Sequence, residues 1–144
     1  MIEPTEFVEL LKRQKINNFY GVPDSLLKPL CNYLINLSPK IHELTTNEAM
    51  AVSSALGSFL ATREMSCVYM QNSGLGNAVN PLVSLASAEV YAIPMLLLIG
   101  WRGEILNDDY QIKDEPQHSL QGKITLNQLK LLNIPFIILS KESF

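Results

Sequence analysis

The stretch that most limits how this chain can fold runs from Ser66 to Pro81, S-C-V-Y-M-Q-N-S-G-L-G-N-A-V-N-P. Its opening residues, Cys67-Val68-Tyr69-Met70, have the apolar, β-branched and aromatic character of a short buried strand. Gly74 and Gly76 follow, where a backbone without Cβ can bend sharply or lie against another molecule. From Asn77 to Ala86, Val79, Leu82, Val83 and Ala86 recur at spacings of three and four, which predicts a helix leaving the loop. In open α/β sheets a strand-loop-helix corner of this kind lies at the carboxyl end of the strand, where ligands bind. Gly74-Leu75-Gly76-Asn77-Ala78-Val79 approximates a dinucleotide fingerprint, but Val79 stands where close packing wants a third glycine, so nucleotide binding is the weaker ligand reading. A tight turn without a ligand is the plain alternative.

The remaining chain repeats the alternation. Pro4 and Thr5 precede an amphipathic helix through Phe7, Val8, Leu10 and Leu11, and Asn17 to Val22 reads as a first short strand. Gly21-Val22-Pro23-Asp24-Ser25 is a turn, and Leu26, Leu27, Leu30 and Leu34 mark the next helix, with Pro29 either in its first turn or at a kink. Lys40 to Leu44 makes a weak second strand, followed by a helix through Val52, Leu56, Phe59 and Leu60. Thr45 and Glu48 at its start fit a capping box. Ala92 to Gly100 is a fourth strand, apolar enough for burial on both faces. Trp101 to Gly122 reads as a long polar insertion, Leu126, Leu129 and Leu132 as a short helix, and Pro135 to Leu139 as a fifth strand. Strands alternating with helices predict an α/β fold: one three-layer domain, residues 1–144, with a central parallel sheet and helices on both faces.

Composition narrows the function classes. A net charge of −3 without a run of Lys or Arg leaves no electrostatic footprint for nucleic acid or an anionic membrane. The apolar run from Pro94 to Ile99 is too short to span a bilayer, and no basic-then-apolar signal opens the chain, so a cytoplasmic location is expected. Cys31 and Cys67 share no metal-ligand spacing and read as buried reduced thiols; no metal site is expected in this chain.

Three stretches together carry a resemblance. F-Y-G-V-P-D-S at Phe19 to Ser25, T-N-E-A-M-A-V at Thr46 to Val52, and V-Y-M-Q-N-S-G-L-G-N-A-V-N-P with P-M-L-L-L-I-G-W-R-G-E and K-D-E-P-Q-H resemble the phosphonopyruvate decarboxylases, over nearly the whole chain. The chain is also similar, more loosely, to the alpha subunit of the sulfopyruvate decarboxylases. Both groups belong to the thiamine-diphosphate decarboxylases, and the resemblance is to their pyrimidine-binding domain. It implies half a site: thiamine diphosphate would lie between this domain and a diphosphate-binding domain or beta subunit. That other half is marked by Gly-Asp-Gly, which is absent among the seven glycines here, so Mg2+ is expected only through the partner.

By the same resemblance Glu48 matches the glutamate that hydrogen-bonds the pyrimidine ring, and Asn72, Gly74, Gly76 and Asn77 match the loop beside it. Asp24 matches an acidic proton-relay position, with a helix cap as the competing role. Arg102 and Lys113 are candidates for the second anionic group of a 2-keto acid substrate, and His118 for proton contacts; solvated loop charges are the alternative for all three. A decarboxylase half, a homo-oligomer in its simplest form, is therefore the expectation, against a non-catalytic α/β module that binds a nucleotide or a partner protein.

Overall fold

The computed structural model describes residues 3–107 and 110–139. Strands β1 (Asn18–Gly21), β2 (His42–Leu44), β3 (Ser66–Gln71) and β4 (Met95–Gly100) form one sheet in the order β2-β1-β3-β4, every neighbouring pair parallel. Helices α1 (Pro4–Arg13), α2 (Lys28–Leu34), α3 (Glu48–Thr62), α4 (Leu75–Pro81) and α5 (Pro116–Leu131) accompany them.

The strand period of two makes the layers. Cys67 and Tyr69 of β3 point to one face, where they meet Val8 and Leu11 of α1, Phe19 of β1, and Leu30 and Leu34 of α2. Val68 and Met70 point to the other, among Val52 and Leu56 of α3, Leu75 and Ala78 of α4, and Leu129 of α5. Val68, Tyr69 and Met70 are wholly buried, each contributing about 1.5–3 kcal/mol of apolar transfer. On the first face His42 Nε2 lies 2.8 Å from Tyr69 Oη, and burial pushes the Cys67 thiol up to about 12. Because β2 lies on one side of β1 while β3 and β4 lie on the other, the strand order reverses between β1 and β3. A crevice at their carboxyl ends is where such sheets take ligands.

The three-layer parallel fold is the one the alternation predicts, with local differences. Pro29 is the second residue of α2, where a missing N–H has no helical partner to lose. Pro81 closes α4, and the following turn, Leu82–Ala86, widens to π geometry, as helices do where the hydrogen-bond ladder is interrupted. The polar stretch after β4 is not one long loop. It holds an antiparallel pair, β5 (Ile105–Asn107) and β6 (Tyr110–Gln111), and α5 begins at Pro116, ten residues ahead of Leu126. Gly122, which hides that helix in the sequence, is there because a Cβ would collide with the Gly103 carbonyl. Trp101 Nε1 donates to the Gly122 carbonyl at 3.0 Å across the same contact. Met95 to Ile99 are only half-buried, since β4 is an edge strand among the described residues. The expected fifth strand is irregular: 135–139 follow the turn that closes α5 and have no ladder partner, and strand-like composition makes a strand only where an edge pairs it.

Candidate functional site

The loops after β1, β3 and β4 and the start of α3 after β2 bring most of the residues singled out above to the carboxyl edge of the sheet. Glu48 is the first residue of α3. The helix is capped by Asn47, whose Oδ1 accepts from Met50 N at 3.0 Å, while Thr45 Oγ1 donates to the Asn47 carbonyl. The expected Thr45–Glu48 capping box is therefore not formed, and the Glu48 carboxyl is released from backbone duty. It turns instead to the first turn of α4, which begins where the sequence predicted a glycine loop: Asn77 Nδ2 donates to Glu48 Oε2 at 2.7 Å. A Cβ on Gly74 would overlap Glu48 Cγ, Cδ and Oε1, so the missing side chain of Gly74 is the space the carboxyl occupies. Gly76 faces open space, with nothing within 4 Å of where its Cβ would be.

Asp24 follows β1 but reaches across the end of β3 to β4. A Cβ on Gly100 would strike its Oδ2, and that oxygen accepts from Leu26 N and Leu27 N, each at 3.0 Å. Asp24 is 5% exposed, yet its Oδ1 has no hydrogen-bond partner among the described residues. The residue thus shapes the turn ahead of α2 with one oxygen and keeps the other free.

Asn72, expected beside the cofactor, spends its amide within the fold. Its Nδ2 donates to the Arg102 carbonyl at 3.0 Å and to Thr125 Oγ1 at 2.9 Å, and its Oδ1 accepts from Arg102 N at 3.2 Å. Arg102, directly after β4, grips Asp114 with Nε and Nη2 and donates from Nη1 to Ser25 Oγ at 3.0 Å. Asp114 also accepts from Gly103 N and Glu115 N, and the guanidinium holds its carboxyl well below the usual carboxylate range. Lys113 is exposed, one residue before Asp114. His118 lies in the first turn of α5 with its carbonyl against Gly103, and its buried Nδ1 has no partner among the described residues.

Ser25, Asp114 and Thr125 are the members of this edge that sequence reasoning did not single out. Asp114 offered a signal, a carboxylate just ahead of a helix-opening proline within K-D-E-P-Q-H; Ser25 and Thr125 offered none.

Residues 5–131 match the family described as thiamine pyrophosphate enzyme, N-terminal TPP binding domain, and the chain belongs to that family. It is 37% identical over 140 residues to a phosphonopyruvate decarboxylase of Streptomyces viridochromogenes, a match covering 96% of this chain and 33% of that protein. It is 38% identical over 85 residues to a sulfopyruvate decarboxylase subunit alpha of Methanococcus maripaludis, covering 59% of this chain and 49% of the relative. Among solved structures, benzoylformate decarboxylase from Polynucleobacter necessarius superposes with a TM-score of 0.58 at 20% identity over 87% of this chain and 23% of that one, a likeness of fold. The chain thus spans about a third of the length of the phosphonopyruvate decarboxylases it matches.

Proposed function

We propose that this chain is the pyrimidine-binding half of a thiamine-diphosphate-dependent 2-keto acid decarboxylase that converts 3-phosphonopyruvate to phosphonoacetaldehyde and carbon dioxide. The observation that carries the reading is Glu48: a carboxyl freed from capping, oriented by Asn77 and seated on Gly74 beside the start of α4, where Gly76 faces open space. These residues fit an aminopyrimidine, a flat ring with nitrogen donors and acceptors and faces that glycine backbone can approach. When bound, thiamine diphosphate supplies the carbon centre that takes up the electron pair left as carbon dioxide departs.

This chain's residues supply orientation and protons. Glu48 holds a proton at the pyrimidine ring nitrogen, and Asn77 fixes which carboxyl oxygen faces the ring. Replacing the lost carbon dioxide by hydrogen requires one proton at the former keto acid carbon. Asp24 Oδ1 and His118 Nδ1, each buried without a partner among the described residues, are suited to carry it. Lys113 offers a cation to the phosphonate. Arg102 has three of its donors engaged, and its part is taken up below. A diphosphate-binding domain or beta subunit completes the site and brings the Mg2+, in a cytoplasmic homo-oligomer of the completed enzyme.

The likeness to sulfopyruvate decarboxylase subunit alpha supports sulfopyruvate as a second substrate candidate. Product analysis of the completed enzyme with each keto acid separates the two. Glu48→Gln is expected to slow turnover by about 10²–10⁴, with cofactor affinity much less affected. Undiminished thiazolium proton exchange in that variant, followed by quenched-flow NMR, would contradict the assigned role, and turnover of neither keto acid would favour a non-catalytic module.

A further inference from the structure

Arg102 is tied into the carboxyl edge through both its backbone and its side chain. Its backbone is held on both sides by Asn72 at the end of β3. Its Nε and Nη2 are held by Asp114, which is itself fixed by Gly103 N and Glu115 N. Only 23% of the Arg102 side chain and 14% of Asp114 is exposed. With five donors on a planar fork and two committed to a bidentate pair, the guanidinium has little freedom to swing toward a ligand. What it does reach is Ser25, on the far side of β3, through Nη1.

That contact matters because of the residue beside it. Asp24 lies over the end of β3 with its carboxyl on Gly100, a position β1 alone does not dictate. Its side chain is tied locally, to Leu26 N and Leu27 N. Among the described residues, Arg102 to Ser25 is the hydrogen bond that carries the turn to the β4 side.

We infer that Arg102 is a positioning residue: with Asp114 as its anchor and Ser25 as its grip, it clasps the turn after β1 onto the end of β4 and so fixes where Asp24 presents its free oxygen. The fork geometry, more than the positive charge, performs this task. Arg102→Lys keeps charge without a bidentate fork and is expected to behave like Arg102→Gln. Asp114→Asn separates the clasp from direct substrate binding most sharply, since it frees the guanidinium. If Arg102 served the substrate anion, freeing it would lower KM; if it is a clasp, freeing it loosens Asp24.

The inference rests on the decarboxylase reading only in its kinetic arm, and two measurements keep the failures apart. The first needs no activity: amide hydrogen exchange of Leu26 and Leu27 in the full 144-residue chain, measured relative to Val68 in the core. Arg102→Gln, Arg102→Lys and Asp114→Asn are expected to speed it about 10-fold, and the milder Ser25→Ala less, as local opening becomes easier. Unchanged relative exchange in all four variants overturns the clasp, whatever reaction the enzyme performs. The second arm is steady-state kinetics of the completed enzyme. The same variants should lower kcat by about 10–100-fold with KM within twofold, and Asp114→Asn should fall with the Arg102 variants. A rise in KM alone for Arg102→Gln, paired with a fall in KM for Asp114→Asn, would assign Arg102 to the substrate instead.

Discussion

Gly74→Ala isolates the geometry that carries the functional reading. The backbone at Gly74 is right-handed helical, φ −70° and ψ −17°, so alanine meets no conformational penalty. On backbone grounds alone it should stabilise the chain by about 0.4–1 kcal/mol. The difficulty is the Glu48 side chain, whose Cγ would lie 2.3 Å and whose Cδ and Oε1 would lie 2.5 Å from the new Cβ, against about 3.4 Å for an ordinary contact. The side chain must retreat by about 1.1 Å, which sacrifices its 2.7 Å bond to Asn77. Turning the end of a flexible side chain costs about 0.5–1.5 kcal/mol, and the lost bond a similar amount. Set against the backbone gain, the net loss is about 1 kcal/mol, or roughly 3 °C in Tm for a chain of this size. Turnover should suffer far more, since a misplacement of about 1 Å in a positioning group costs about 10²-fold. Thermal unfolding of the chain, paired with carbon dioxide release by the completed enzyme, reads both quantities. A folded Gly74→Ala enzyme within threefold of the wild-type rate would refute the reasoning, as would a fall in Tm above about 10 °C.

Gly76→Ala is the companion case: nothing among the described residues meets the added methyl, so Tm should hold or rise while cofactor affinity of the completed enzyme drops, and undiminished affinity would mean the start of α4 faces no ligand. Burial lowers the pKa of His42 below its ordinary 6.5, so on acidification the unfolded chain takes up a proton before the folded one does. Stability should be full above about pH 6.5 and decline as pH falls through and below that value; urea unfolding on both sides of it, with His42→Gln flattening the slope, checks the sign. Asn72→Ala strands the buried N–H and carbonyl of Arg102 and should cost about 2–4 kcal/mol, a loss in Tm well beyond that of Asn77→Ala, whose amide bonds only Glu48.

What the sequence could and could not disclose follows from how local each cause is. The strand ending at Gln71 was readable because the alternation of Cys67 and Tyr69 with Val68 and Met70 is written in adjacent residues, whereas the need for Gly74 is set by Glu48, far away in the chain. The cap of α3 was not. Thr45 and Asn47 are both capping types, and the choice is made by a distant bond: Thr45 N donates to the Gly21 carbonyl, which keeps Thr45 with the sheet and moves the helix start to Asn47. Asp114 was obscured for a similar reason, because its meaning depends on Arg102, twelve residues earlier, which it meets across the β5–β6 pair. Asn72 was placed correctly at the edge, but its partners come from the residue after β4 and from α5, elements whose approach no local pattern encodes.

Among the described residues, three buried side-chain atoms lack a partner: Asp24 Oδ1, Ser66 Oγ and His118 Nδ1. A buried polar atom left unpaired costs about 1–3 kcal/mol, and most folds remove such atoms. Ser66 opens β3, at the amino end of the strand, far from the loops described above. The other two belong to residues of the carboxyl edge, Asp24 with its carboxyl on Gly100 and His118 with its carbonyl on Gly103, where Asn72 and Asp114 are amply bonded. An edge that satisfies its scaffolding side chains and leaves two proton-carrying ones open has the distribution expected of a site. Asp24→Asn tests this directly. Its remaining oxygen can still accept from Leu26 N and Leu27 N, and the amide exchanges one unpaired buried atom for another, so stability should change by less than about 1 kcal/mol. The capacity to pass a proton is lost, and decarboxylation should fall by about 10²–10⁴. Wild-type turnover in a folded Asp24→Asn enzyme would reduce Asp24 to a former of the turn before α2. A drop in stability of several kcal/mol would show that its second oxygen already has a partner.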